Sequence, residues 1–293
     1  MSPSTPAPPP QARELAARWN LHRAGREWRG TCPACGYAAA FVLTERGGRA
    51  AAWCASCQDR DAISALLRAG GAPHRPDPER GAASERDRLA KAERARERAR
   101  ALWNGAEAAP GTPAAVYLAT RGLLGLAASP ALRWRADCPH PAGGRLPALL
   151  GRIDGPDGAM TGLHRTYLRR DGAGKTERIP VKASLGPVRG GAVRLHGAGP
   201  SLVVGEGIET SAAAGLLTGM PAWAAISAGN LARALTLPPA VREVVIAVDN
   251  DPPGRRAAAD AAARWLAEGR RVRFLVPDAD GADAADLVQG AAR

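Results

Sequence analysis

Four of the five cysteines stand in two Cys-x-x-Cys pairs, Cys32-Pro-Ala-Cys35 and Cys54-Ala-Ser-Cys57, with eighteen residues between the pairs. Zinc takes four soft or borderline ligands in a closed tetrahedron, and a two-residue gap lets each pair chelate from one tight turn. Gly36 allows the backbone to reverse after the first pair. With every position held by thiolate, none is left for water, so this zinc is expected to be structural and not catalytic. The competing reading is two disulfides or four free thiols, and a reducing compartment disfavours the first. Cys138, beside Pro139 and His140, is read as an ordinary thiol.

A second constellation is acidic. Glu206 follows the apolar run Leu202-Val203-Val204, and Asp249 and Asp251 follow Val244-Val245-Ile246-Ala247-Val248. If both runs are parallel strands, the three carboxylates reach the carboxyl edge of one sheet, where ligands gather in open α/β folds. Converging carboxylates repel one another unless a cation intervenes. Mg²⁺ or Mn²⁺ suits such a place, because a hard ion takes a few carboxylate oxygens and accepts substrate phosphates in its remaining positions. Solvated loop or cap residues are the alternative. Farther on lie Asp278, Asp280, Asp283 and Asp286; Asp283 is a candidate ligand of a second metal, with a helix N-cap as its rival role. Gly205 and Gly207 flank Glu206, and Gly254 opens a helix whose N-terminus favours phosphate.

The elements that must carry these groups follow from periodicity. From Ser201 onward apolar strands and helices alternate: Leu202 to Val204, Glu209 to Thr218, Ala222 to Ile226, Val244 to Val248, Arg255 to Glu268 and Val272 to Val276. This order calls for a parallel sheet with crossover helices. From Pro110 to Gly199 a helix at Ala114 to Thr120 and strands at Ala148 to Ile153 and Gly162 to Tyr167 point to an α+β unit, with Asp157-Gly158 and Asp171-Gly172 as turns. Gln11 to Asn20 and Asp61 to Leu67 read as short helices, the second stopped by Gly70-Gly71, and Pro73, Pro76 and Pro78 mark a linker. The expected organisation is a disordered tail (1–12), a zinc-binding domain (13–72), a charged linker and helix (73–105), an α+β part (106–199) and a parallel α/β domain (200–293).

Composition narrows the partners. A chain of 293 residues should hold two or three compact units. Lys and Arg number 40 against 28 Asp and Glu, a formal charge of +12, which favours polyanions through counterion release; coding bias toward Arg and Ala is the bland alternative. No stretch approaches the roughly 20 apolar residues of a membrane span, and Met1 to Pro10 lacks the charged start and apolar core of a secretory signal, so a cytoplasmic protein with no membrane partner is expected. Trp28 and Trp53 are candidates for stacking on single strands. Rival motifs fail: Gly172-Ala-Gly174-Lys175-Thr176 has Arg169 where a P-loop needs its first glycine, and Ser227 has no histidine after it for a hydrolase triad.

Gly205-Glu206-Gly207 with Asp249-Asn250-Asp251-Pro252-Pro253-Gly254 resembles the Toprim domain shared by DnaG-type primases, topoisomerases and some nucleases. A zinc ribbon, then Tyr117-Leu-Ala-Thr-Arg121-Gly-Leu123, then Toprim is an order similar to that of primases, especially those of phages, plasmids and integrated elements. The resemblance spans roughly residues 28 to 290. It implies Glu206, Asp249 and Asp251 as catalytic metal-holding acids, Asp283 as a further candidate, and Arg121, Arg165, Lys175, Lys182 and Arg189 as candidates for a nucleic-acid-binding surface. It implies Mg-dependent synthesis of short RNA primers on single-stranded DNA, with ribonucleotide triphosphates as substrates and a separate replicative helicase as partner. A Toprim nuclease, or a DNA-binding accessory replication protein, is the alternative. Two departures stand out: cellular primase ribbons commonly use a His ligand where this chain has only Cys, and Asn250 occupies a place often held by Gly.

Overall fold

The computed structural model describes residues 12–36, 40–55, 57, 59–69 and 78–291. The expected tail Met1–Pro10 and the breakers Gly70, Gly71, Pro73 and Pro76 lie outside them. The chain divides into two compact units, Met1–Ser84 and Glu85–Arg293.

The first unit is a four-stranded antiparallel sheet, β1 (His22–Ala24), β2 (Glu27–Gly30), β3 (Phe41–Arg46) and β4 (Arg49–Cys54), paired in chain order, with helices α1 (Ala12–Arg18) and α2 (Arg60–Ala69). Alternation along β3 sends Phe41 and Leu43 to one face, where they pack with Leu15 of α1 and Ile63 of α2. So small a core needs reinforcement, and the four cysteines are part of it.

The second unit is built on one ten-stranded sheet, whose main path runs β14-β13-β11-β12-β10-β7-β6-β5 with β8 and β9 extending from β7. β11 (Ser201–Gly205), β12 (Ala222–Ala224), β13 (Glu243–Ala247) and β14 (Arg271–Leu275) are parallel, while β10 (Ala192–Arg194) joins them antiparallel to β12. β5 (Glu107–Ala108), β6 (Leu132–Pro139), β7 (Arg145–Asp154), β8 (Met160–Tyr167) and β9 (Lys182–Leu185) form the antiparallel remainder.

Strands buried on both faces read as continuous apolar runs, and β11 and β13 do so. Val203 and Val245 face a core shared with α5 (Ile208–Thr218), while Leu202, Val204, Val244 and Ile246 face one shared with α6 (Ala228–Arg233) and α7 (Pro252–Ala267). α4 (Pro113–Thr120) and α8 (Ala284–Ala291) complete the first of these layers. α3 (Pro78–Asn104) covers the antiparallel part by laying Ala99 and Trp103 on Ala148, Leu150, Leu163 and Tyr167. Pro78 therefore opens a helix instead of marking a linker, as a proline suits a first turn whose N–H needs no partner. The strand expected to reach Ile226 stops at Ala224, because Ile226 takes a left-handed φ of 72°.

Candidate metal centres and the acidic site

The parallel register explains how acids far apart in sequence meet. Gly205 of β11 is opposite Ala247 of β13, so Glu206 stands one residue past the paired ends and Asp249 two residues past. Asp251 follows as the N-cap of α7, accepting the Gly254 N–H at 2.7 Å. Gly254 must lack a side chain, since a Cβ there would collide with the Asp249 carbonyl oxygen. Asp283 comes from the loop between β14 and α8. It makes the cap contact expected of it, accepting the Ala285 N–H at 2.7 Å, and its other oxygen accepts the Thr210 hydroxyl at 3.1 Å.

Electrostatics show how closely these groups face one another. Burial raises the Glu206 carboxyl to about 7, helped by the charges of Asp249 and Asp251 and opposed by Lys182 and the Ala228 N–H. Burial likewise raises Asp249 to about 6, with Asp283 and Asp251 adding to the effect. Asp249 Oδ1 is buried without any hydrogen-bond partner in the structure. A buried, unpaired carboxylate oxygen beside like charges is unfavourable in water-free surroundings and is relieved by a cation. The donor set is all oxygen, which fits Mg²⁺ or Mn²⁺. Among the described residues, the four cysteines are the only group of three or more candidate ligand atoms all within 4.8 Å of one another. The carboxylates are therefore a looser set than the cysteines.

Beside the acids is a charged cluster that sequence reasoning missed. Glu209, in the first turn of α5 and 3% exposed, receives the Lys182 amine at 2.9 Å and the Tyr117 hydroxyl at 2.7 Å, and pairs with Lys175 at 3.5 Å. Burial opposes its charge, but Lys182, Lys175 and Tyr117 together hold its carboxylate well below the usual range. Burial also works against Lys182, and Glu209 outweighs it and raises the amine; at Lys175 burial prevails and the amine is lowered. Two cations on one anion leave a positive excess next to the acids. The available signal was an acid three residues after Glu206, on the same helical entry. His164, buried nearby, is held down to about 3 by burial and by Lys182, so it is neutral.

The five basic candidates separate. Lys175 and Lys182 converge on Glu209, and Arg121 caps α4 close enough to act on both Tyr117 and Lys175. Arg165 does not belong to an exposed basic surface: it is buried, and its guanidinium donates to the carbonyls of Pro139, Ala183 and Ser184. The reason is that β8 runs between β7 and β9 and is buried on both faces from Gly162 to Tyr167. Arg189 is exposed on the connection from β9 to β10, and no described contact ties it to the acids.

In the first unit Cys32, Cys35, Cys54 and Cys57 are all free of disulfides and their sulfurs cluster. Cys35 Sγ lies 3.8 Å from Cys54 Sγ, which matches the edge of about 3.8 Å in a tetrahedron with Zn–S bonds of about 2.3 Å. Gly36 turns the chain with φ 75° and donates its N–H to the Cys32 carbonyl at 2.7 Å. Hydrogen bonding from Cys54 lowers the Cys32 thiol to about 5, while burial raises Cys57 to about 11. Of the two tryptophans, Trp28 packs against the core under Arg23, whereas Trp53 stands 53% exposed on the open face of β4. Cys138 is buried in the other unit, and burial raises its thiol. No helix among the described residues is long and apolar enough to cross a membrane.

Comparison with known proteins assigns two segments of the second unit. Residues 201–293 match the Toprim domain, and residues 93–195 match a domain of unknown function, DUF7146. No curated protein sequence matches the chain. Similar solved structures include a DnaG primase catalytic domain bound to ssDNA, at 17% identity and TM-score 0.48, covering 69% of this chain and 78% of that one. The zinc-binding and RNA polymerase domains of the Aquifex aeolicus primase match at 16% identity and TM-score 0.43, covering 96% of this chain and 80% of that one. The primase fragment of the bacteriophage T7 primase-helicase protein matches at 14% identity and TM-score 0.44, covering 90% and 95%.

Proposed function

We propose that this chain, whose residues 201–293 form a Toprim domain, is a primase-like nucleotidyltransferase of the cytoplasm that makes short RNA primers on single-stranded DNA during replication of a phage or mobile element. The observation that carries the proposal is the pairing of two opposite sites at one sheet edge. Glu206, Asp249, Asp251 and Asp283 form an anionic set with an unsatisfied buried oxygen, and Lys175 and Lys182 form a cationic set held by Glu209. A nucleoside triphosphate is the substrate class that needs both, since its phosphates require cations and its metal ions require carboxylates.

Divalent ions bound by Glu206, Asp249 and Asp251, with Asp283 as a further ligand, would supply charge neutralisation to the phosphates and lower the pKa of an attacking 3′ hydroxyl. The chain's own work is positioning. The Ala228 N–H favours the charged form of Glu206, Asp251 is held by its cap, and Glu209 holds two amines together beside the acids. The reaction forms a bond from the 3′ oxygen to the α-phosphorus and releases pyrophosphate, so no protein nucleophile is required. The zinc ribbon, with Trp53 on its open sheet face, is assigned to grip the template, and a separate helicase is the expected partner.

The test is to incubate the zinc-loaded chain with single-stranded DNA and ribonucleotides across Mg²⁺ and Mn²⁺ concentrations. Short RNA products that vanish in Glu206→Gln are the expected result. Cut DNA would replace the proposal with a nuclease, and neither product from protein that binds DNA would assign the chain an accessory role.

A further inference from the structure

Asn250 lies between two of the acids, yet it points away from them into the loop that carries Asp283. Its Nδ2 donates to the carbonyls of Pro277 at 2.9 Å and Ala279 at 3.1 Å. Its Oδ1 accepts from Arg255 at 2.7 Å, which fixes the orientation of the amide. The main chain adds two bonds, Asn250 N–H to the Ala282 carbonyl at 2.9 Å and the Gly281 N–H to the Asn250 carbonyl at 2.8 Å. Of these five hydrogen bonds from one buried residue, four go to the segment 277–282.

That segment needs a fastener. It leaves β14, an edge strand, and must return to start α8 with Asp283 set against the charge of Asp249. An amide suits the task because it holds the loop without adding charge. Arg255, bound both to Asn250 and to Asp280 at 3.3 Å, offsets one of the loop's carboxylates.

We infer that Asn250 is a positioning residue whose side chain latches the loop 277–282 and so sets Asp283 in the metal-binding constellation. The inference rests on the reading of the acids as a metal site. It explains why an asparagine serves where a glycine is common: glycine would keep the two main-chain bonds and lose the three made by the side chain.

The experiment is a Mn²⁺ titration, followed by electron paramagnetic resonance, of the zinc-loaded parent, Asn250→Ala, Asp283→Asn and the double variant. Asn250→Ala is expected to weaken Mn²⁺ binding by about 10- to 100-fold, as loss of a residue behind a ligand commonly does. The double variant should bind no more weakly than Asp283→Asn alone, because Asn250 acts through Asp283. Hydrogen exchange should rise in 277–283 and stay unchanged in β11 and β13. Asn250→Ser keeps a short polar side chain that cannot bridge both carbonyls, and serves if the alanine variant fails to fold. Parental Mn²⁺ affinity in Asn250→Ala, or single-variant losses that multiply in the double variant, would overturn the latch. A parent that binds no Mn²⁺ would instead overturn the metal reading on which it stands.

Discussion

Asp249→Asn should make the metal-free protein more stable at pH 8 while removing its response to magnesium. The Glu206 carboxyl is raised from 4.5 to about 7 and that of Asp249 from 3.8 to about 6. A carboxyl raised by folding binds its proton more tightly in the folded chain, so its stabilising effect is complete below about pH 4 and is lost as pH climbs through about 6 to 7. Each shift corresponds to on the order of 3 kcal/mol. Burial is the largest cause at both groups and the Asp249 charge adds to the rise of Glu206, so the two shifts are not independent and do not simply sum. The amide introduced by Asp249→Asn would carry no charge and could donate toward the Asp251 and Asp283 carboxylates, so a gain of about 1 to 3 kcal/mol is expected at pH 8 and little at pH 4.5. Urea unfolding followed by circular dichroism, on zinc-loaded protein with magnesium simply omitted, measures this; a chelator would strip the ribbon as well. Added Mg²⁺ should raise the parent's midpoint and leave the variant's unmoved. A variant less stable than the parent at pH 8, or equal gains at both pH values, would refute the claim that these acids repel one another in a buried site.

Other outcomes follow from the same geometry. The double Cys54/Cys57→Ser variant should purify with less than half an equivalent of zinc by elemental analysis, against one for the parent, and should lose the first unit's folded signal. Glu209→Gln would leave Lys182 and Lys175 without their anion, so a loss of about 3 kcal/mol is expected in the same unfolding assay; Glu209→Asp should recover only part, because the shorter side chain cannot hold both amines and Tyr117. Trp53→Ala should weaken binding to single-stranded DNA by about 1 to 3 kcal/mol without affecting zinc content, measured by fluorescence anisotropy across a salt series, whereas unchanged affinity would remove stacking from the ribbon. Asp251→Asn should abolish primer synthesis yet shift stability by less than about 0.5 kcal/mol, since asparagine caps a helix about as well as aspartate.

What could be read along the chain was whatever depends on near neighbours. The four cysteines were legible because chelation from a turn demands a two-residue gap, and β11 and β13 were legible because strands buried on both faces are continuous apolar runs. Their carboxyl ends then placed Glu206 and Asp249 at one edge. β6 was passed over because Arg133 and Arg135 interrupt its apolar pattern, although the first stacks on Trp103 at 4.6 Å and the second bonds the Gly105 carbonyl at 2.8 Å. Arg165 looked like a surface cation for want of a face: only the order of β7, β8 and β9 turns it inward onto three carbonyls. Glu209 depended on distance in sequence, since Tyr117 comes from α4 and Lys182 from β9, and neither spacing carries a signal. Local periodicity records which residues are buried, but a buried charge is defined by the partner brought to it, and that partner is chosen by strand order and loop return, which the tertiary structure alone decides.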